Sequence, residues 1–474
     1  MKNTRRLIFF EYRRNQFAVR DIFFHKLIIR IAASSIKESG LTVRERFAWV
    51  PIGPCPISFR RSYLCCIMLA KFERSVSEFS HGTYPLSRGK SLSSDQSELT
   101  PADENIMKII FLTISLDLGG SERRAITLAK YFKQRGAEVE LWGFNNPGVL
   151  SQICDEVHIP WKVVPFSWYQ SSGKRLANLF QLLRMLKKAN PDILLPHTLI
   201  PNMACGLVWR WTGAQKCIGY EGGYEFGLVN RNWEELAAKQ LSSIICNAHH
   251  LARAMVSYYA LEQKKVKIIP NGVELPQPVH SRAWWRAKLD VNQDTFLAVM
   301  LANLSGFKDH EVLIRAWRLV LDQLFESEGN AKLLLAGKNF GTEPNLKRLV
   351  SELKLEADVL FLGQVKDVSG LLQSVDLGVY SSKSEGSPNG VLECMQAGLA
   401  IAATDFKGIR EVLGEAQYPW LASLDDANQF AQNILILKRD LMLRKKIGSY
   451  NRNRVMKEYS PEQMCKTTEA LITG

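Results

Sequence analysis

The sequence predicts an α/β chain of two doubly wound parallel sheets facing each other across one cleft. Three observations carry that expectation. From Lys108 onward, short apolar β-rich runs alternate with amphipathic stretches of helical period. The apolar runs are continuous rather than alternating, so each sheet must be covered on both faces. The pattern also occurs twice, in two series separated by the turn-rich NGVELPQPV that begins at Asn271.

The first series offers strands at IIFLTI (109–114), VELWGF (139–144), DILLP (192–196), KCIGY (216–220), SSIICNA (242–248) and KVKIIP (265–270). Helices are expected between them, at 121–135 and 248–259. The second series offers FLAVMLANL (296–304), AKLLLAG (331–337), DVLFLG (358–363), VDLGVYSS (375–382) and LAIAATD (399–405), with helices at 311–325, 345–353 and 389–397. From residue 425 the pattern is helical throughout. The predicted domains are therefore 107–275 and 276–458, with a final helix at about 459–474 packing back on the first. Ligands of such sheets bind beyond the carboxyl ends of the strands, so two facing domains place both binding edges on one cleft.

Residues 1–106 read differently. They hold 17 Lys/Arg against 10 Asp/Glu, arginines interrupt every apolar run, and 75–101 is rich in serine and turn formers. Residues 22–33 could form a short basic amphipathic helix resting on a membrane. The expectation for 1–106 is an atypical extension, dispensable or upstream of a true start at Met107, which opens the complete first strand MKIIFLTISL.

Composition narrows the function. An apolar content of 46% over 474 residues excludes global disorder. A formal charge of +14 suits a partner with phosphates: nucleic acid, an anionic membrane or a nucleotide-activated substrate. Nine cysteines lie outside any CxxC or Cys/His spacing, which argues for reduced, buried thiols of a cytoplasmic protein and against a zinc site. No apolar run reaches the roughly 18–20 residues needed to span a bilayer. GxxxxGK[ST] and GxGxxG are absent, which disfavours a P-loop NTPase and a dinucleotide oxidoreductase. Basic residues are not interleaved with aromatics, so no nucleic-acid partner is expected.

The most informative stretch is SEGSPNGVLECMQAG (384–398), which leads from an apolar strand into a helix. Asn389 is the expected N-cap, and Gly390 lets backbone approach a ligand. The free amides of that first turn make a seat for a pyrophosphate. Glu385 on the loop and Glu393 one turn inside the helix can each accept hydrogen bonds from neighbouring hydroxyls: hexose hydroxyls on Glu385, ribose hydroxyls on Glu393.

Strand–EGxPNxxLE–helix, followed by TDFKGIREVLG (404–414), resembles the signature of the family 4 retaining glycosyltransferases, which have the GT-B fold of two Rossmann-like domains. The resemblance implies an acceptor-side domain at 107–275 and a nucleotide-sugar domain at 276–458. It makes Gly386, Pro388, Asn389, Gly390 and Val391 donor-binding along with Glu385 and Glu393. Lys308, in ANLSGFKDHEVLIRAW, becomes the clamp on the donor pyrophosphate. LDLGGSER (116–123) resembles the family's glycine loop, with Gly119, Gly120, Glu122 and Arg123 facing phosphate or acceptor. His197, in DILLPHTLIPNMACG, stands where the family's histidine reaches the transferred sugar. Glu385, His197 and Lys308 are thus the expected catalytic residues. GYEGGYEFG (219–227), with Glu221 and Glu225, could line the acceptor side. Two departures stand out: Asn303, Leu304 and Ser305 supply no arginine where relatives often carry one, and Asp309 replaces a usual glycine.

The expected activity is retaining transfer of a hexosyl unit from a UDP- or GDP-sugar to a lipid-linked or polysaccharide acceptor, in cell-surface glycan synthesis. No metal or cofactor is expected, since no DxD triplet is present and lysine with a helix start can replace a cation. Trp209, Arg210 and Trp211 suggest docking on an anionic membrane, at the inner face of the plasma membrane. Two alternatives are a GT-B nucleotide-sugar epimerase and a non-catalytic nucleotide-sugar-binding protein.

Overall fold

The computed structural model describes residues 106–117, 119–223 and 226–474. The expectations for 1–105 and for Glu225 lie outside the described residues.

The first lobe holds strands β1 (Lys108–Thr113), β2 (Glu138–Phe144), β3 (Trp161–Val164), β4 (Ile193–Pro196), β5 (Lys216–Glu221), β6 (Ser243–Cys246) and β7 (Val266–Ile268). All pair in parallel, in the order β3-β2-β1-β4-β5-β6-β7. Its helices are α1 (Gly120–Gln134), α2 (Val149–Glu156), α3 (Ser172–Ala189), α4 (Leu199–Val208), α5 (Arg231–Gln240) and α6 (His249–Tyr258). The central strand shows why a continuous apolar run was needed: Ile109 to Leu112 are all fully buried, alternately facing the two helical layers.

The second lobe repeats the scheme with β8 (Phe296–Leu301), β9 (Ala331–Ala336), β10 (Val359–Gly363), β11 (Leu377–Tyr380), β12 (Ile401–Thr404) and β13 (Leu421–Ala422). The order is β10-β9-β8-β11-β12-β13, again parallel. Helices α7 (Arg282–Lys288), α8 (His310–Asp322), α9 (Glu343–Glu352), α10 (Val368–Ser374), α11 (Asn389–Gln396), α12 (Lys407–Leu413), α13 (Ala427–Arg439), α14 (Leu441–Glu458) and α15 (Pro461–Thr473) complete the chain. In α8 the side chain of Asp309 accepts from Val312 N–H at 3.4 Å, so the residue standing in place of glycine caps the helix. Leu313 and Ile314 behind it are fully buried, each contributing roughly 1.5–3 kcal/mol.

In both sheets the strand order reverses beside the first strand: between β1 and β4, and between β8 and β11. Crevices open at such reversals, and the loops after β1, β4, β8 and β11 are those that carry the expected site residues. Helix α15 leaves the second lobe and joins the first. Met464, Cys465 and Ile472 are buried with Ile109 and Phe111, Tyr131 donates to Glu469 at 2.8 Å, and Lys216 donates to the Ile472 carbonyl at 2.7 Å.

Some elements differ from expectation. Strand β11 ends at Tyr380 rather than 382, because Ser382 N–H turns to Thr404 Oγ1 and Lys308 bridges to Ser382. Strands β3 and β13, of four and two residues, are too short to give a pattern. The six cysteines among the described residues are free and buried, and burial pushes the Cys154 and Cys465 thiols up to about 11.

Candidate active site

Lys308 and Glu385 meet. The lysine lies in the loop after β8, held by its bridge to Ser382, so the loops after β8 and β11 are tied together. Its ammonium forms an ion pair with Glu385 and donates to Tyr380 Oη at 2.8 Å. Tyr380 Oη in turn donates to Glu385 Oε1 at 2.6 Å. Burial first, then the Glu385 charge, holds the Tyr380 phenol well above its ordinary pKa. It therefore stays neutral, able both to accept from the lysine and to donate to the carboxylate. Sequence reasoning missed Tyr380, taking it for a strand residue; a hydroxyl on the last residue of the strand before Glu385 was the available signal.

Helix α11 starts beside this trio. Its N-cap is Pro388, which has no side-chain donor or acceptor, and Asn389 is the first helical residue rather than the cap. The Asn389 side chain is engaged elsewhere: its Oδ1 accepts from Asn271 Nδ2 of the interlobe segment at 2.8 Å. Gly390 is required by packing, since a Cβ there would lie 2.0 Å from the Leu301 carbonyl oxygen at the end of β8. Gly386 is pressed between lobes, where a Cβ would meet Asn247 Oδ1 at 2.4 Å and the Gly222 carbonyl at 2.5 Å. Val391 is buried in the lobe core, and the Ser387 hydroxyl is buried with no protein partner. The amides of Asn389 and Gly390 open the helix, where no preceding turn supplies carbonyls. One turn further, Glu393 accepts from Arg123 Nη1 of α1 at 3.0 Å. Burial raises its pKa and Arg123 opposes that shift.

On the first lobe, Gly119 caps α1 with extended backbone. The space beside both glycines is taken by protein: a Cβ on Gly119 would meet Glu122 Oε2 at 2.5 Å, and one on Gly120 would meet Asn389 Nδ2 at 3.0 Å. Glu122 is buried and accepts from Ser121 Oγ at 2.8 Å, so its carboxylate folds over its own helix start. Arg123 is the member of this loop that crosses to α11.

His197 follows β4 and is 1% exposed. Its Nδ1 lies 3.0 Å from the Leu195 carbonyl and must carry the proton, since a carbonyl can only accept. Nε2 is then a buried lone pair without a protein partner. Burial, and secondarily Arg124, lowers its pKa to about 3, so the ring is neutral at physiological pH. Thr198 beside it has φ of 71°, a strained conformation for a β-branched residue. The ring contacts of His197, with Phe111 and Tyr220, stay within the first lobe, apart from Lys308 and Glu385.

Arg124 was not foreseen. Its buried guanidinium sits 4.5 Å over the Tyr220 ring and donates to the Pro270 carbonyl and Asn271 Oδ1, both at 3.3 Å. Asn271 also accepts from Tyr220 Oη at 2.9 Å, so one asparagine joins the first-lobe core to α11. Two further contacts cross the seam. Glu411 on α12 accepts from the His249 and His250 amides at 2.7 Å and from His250 Nδ1 at 2.6 Å, while His250 Nε2 meets the Glu385 carbonyl at 2.9 Å. Lys338, just after β9, pairs with Asp117 in the loop after β1. None of these pairs could be read from local sequence, because each joins residues far apart in the chain.

Two expectations need correction. Trp209 is 7% exposed, its indole donating to the Gln240 carbonyl at 3.0 Å; Trp211 and Arg210 alone remain at the surface. Glu221 is the last residue of β5, buried and accepting from Asn202 Nδ2 at 3.4 Å, rather than part of the segment between strand and helix. Among the described residues no group of three His, Cys, Asp or Glu is placed to hold a metal ion.

Two parallel-sheet lobes, each with its strand order reversing beside its first strand, have the GT-B fold. Residues 118–277 match the model described as Glycosyltransferase Family 4, and residues 281–454 match Glycosyl transferases group 1. The chain belongs to the family 4 glycosyltransferases. It is 27% identical over 342 residues to a Bacillus subtilis chain, EpsD, assigned as a glycosyltransferase, covering 69% of this chain and 87% of that one. It is 24% identical to the Escherichia coli UDP-Gal:alpha-D-GlcNAc-diphosphoundecaprenol alpha-1,3-galactosyltransferase, covering 60% and 76%. HepE of Anabaena, solved with UDP-glucose, superposes with a TM-score of 0.68 at 20% identity over 78% of this chain and all of that one.

Proposed function

We propose that the chain transfers a hexosyl unit, with retention and without a metal ion, from a UDP- or GDP-sugar to a lipid-linked or polysaccharide acceptor in cell-surface glycan synthesis. The observation that carries this reading is the Lys308–Tyr380–Glu385 trio set beside the start of α11, with Glu393 one turn beyond. The spacing suits one nucleotide sugar: ribose hydroxyls on Glu393, diphosphate at Lys308 and the first amides of α11, hexose hydroxyls on Glu385. The E. coli relative is named for a UDP-sugar donor and a polyprenyl-diphosphate acceptor, which supports both substrate classes.

In the reaction, the bond from the anomeric carbon to the diphosphate oxygen breaks and its electron pair leaves with the phosphate. The acceptor oxygen bonds the carbon on the same face, and its proton passes to the departing phosphate. Lys308 and the helix start offset the charge that gathers on the leaving group. His197, neutral and with an accepting Nε2, suits a hydroxyl of the transferred sugar. The loop of Gly119, Gly120, Glu122 and Arg123 closes the acceptor side.

The first lobe supplies the acceptor face. Helix α3 carries Lys174, Arg175, Arg184, Lys187 and Lys188 without an acidic residue, and Tyr169 and Trp211 are exposed nearby in sequence or surface. These features support docking on an anionic membrane from the cytoplasmic side. No helix among the described residues is long and apolar enough to cross a membrane.

The test is transfer by the full chain from UDP- and GDP-sugars, screened first by protection against thermal unfolding. Glu385→Ala and Lys308→Ala are each expected to lower turnover about a thousandfold with folding retained. Full activity in both would end the assignment. Epimerised sugar formed without acceptor would favour the epimerase alternative, and donor binding without turnover the non-catalytic one.

A further inference from the structure

A diphosphate brings two negative charges and gains another as the sugar departs, yet Lys308 is matched by Glu385. A second cation is built into the other side of the same strand end. The order β9-β8-β11 places Lys308 toward β11, where it bridges to Ser382, and the segment after β9 on the opposite flank. There the Leu304 amide donates to the Lys338 carbonyl at 2.9 Å, and Asn303 Oδ1 accepts from the Lys338 amide at 3.1 Å. A Cβ on Gly337 would fall 2.0 Å from the Ala302 carbonyl oxygen, so these two segments are held in close register. The start of α11 packs on this strand end too, through Gly390 against Leu301. The Lys338 ammonium then crosses to Asp117 of the first lobe, in an ion pair whose side chains are 44% and 42% exposed. An ion pair so exposed contributes little, whereas phosphate oxygens offer stronger charge-assisted hydrogen bonds.

We propose that Lys338 is a donor-binding residue: its ammonium exchanges Asp117 for the diphosphate, which Lys308 and Lys338 then hold from two flanks of the α11 start. Asp117 is the competing anion. The proposal rests on the nucleotide-sugar reading above and adds the residue that supplies net positive charge to that seat.

The experiment titrates the full chain with UDP and GDP, and with uridine and guanosine as probes lacking phosphate, in wild type, Lys338→Gln and Asp117→Asn. Opposite signs are expected. Lys338→Gln weakens diphosphate binding about tenfold or more, Asp117→Asn strengthens it severalfold, and nucleoside binding changes by less than about twofold in either. A mere tether between lobes would move both variants the same way, because each removes the same ion pair. That result, unchanged diphosphate affinity in Lys338→Gln, or an equal loss of nucleoside binding, overturns the proposal. A wild-type chain that binds neither diphosphate sinks the nucleotide-sugar reading instead, which is a separate failure.

Discussion

Tyr380 sits where two opposite charges meet, and its hydroxyl gives each of them a fixed partner. Removing that oxygen leaves Lys308 and Glu385 paired but free to swing. Tyr380→Phe is expected to lower kcat about tenfold with little change in the thermal midpoint, measured by initial rates beside circular dichroism. Glu385 and Lys308 were legible in the sequence because each belongs to a short contiguous motif at a strand end. Tyr380, Arg124 and Lys338 were not, since their partners Lys308, Asn271 and Asp117 lie 72, 147 and 221 positions away along the chain. His197 was legible as a residue but not as a state: its neutral ring follows from burial and secondarily from Arg124, and its orphan Nε2 from the Nδ1 contact with the Leu195 carbonyl.

At the scale of elements, α11 depends on contact with the end of β8. Gly390→Ala forces a methyl group against the Leu301 carbonyl, and the expected cost is about 1–3 kcal/mol, read as a lower denaturant midpoint. Activity should fall further than stability, because displacing the helix start moves the amides proposed to seat the diphosphate. Asp309 makes a contrasting case. Asp309→Ala removes the cap of α8 and is expected to cost about 1 kcal/mol, while Asp309→Asn retains most of it. Element boundaries were readable wherever caps and apolar runs were local. The two strands that escaped, β3 and β13, have four and two residues and borrow their place from neighbouring strands.

For the molecule as a whole, acid should loosen both lobes before carboxylates are involved. His197 and His310 have pKa values lowered to about 3 and about 4, chiefly by burial, against about 6.5 in an unfolded chain. Because the folded values are depressed, the unfolded state takes up protons first. Stability is complete above about pH 6.5 and declines as pH falls toward 4, with a limiting slope of roughly 1.4 kcal/mol per pH unit for each histidine. Urea denaturation at pH 7.5, 6.0 and 5.0 is expected to show that decline, and His310→Leu to flatten part of it. A stability that rises on acidification over this range would contradict the buried neutral rings.

The return of α15 to the first lobe also dictates an order of events during synthesis. Ile109 and Phe111 are among the first described residues to be made, yet the cover that α15 gives them arrives only with Met464 and Ile472. A nascent chain must therefore carry a partly bare apolar face while its whole second lobe is translated, a period in which chaperones have something to hold. Ribosome-bound chains halted after α14 should be bound by such factors more strongly than chains extended through α15.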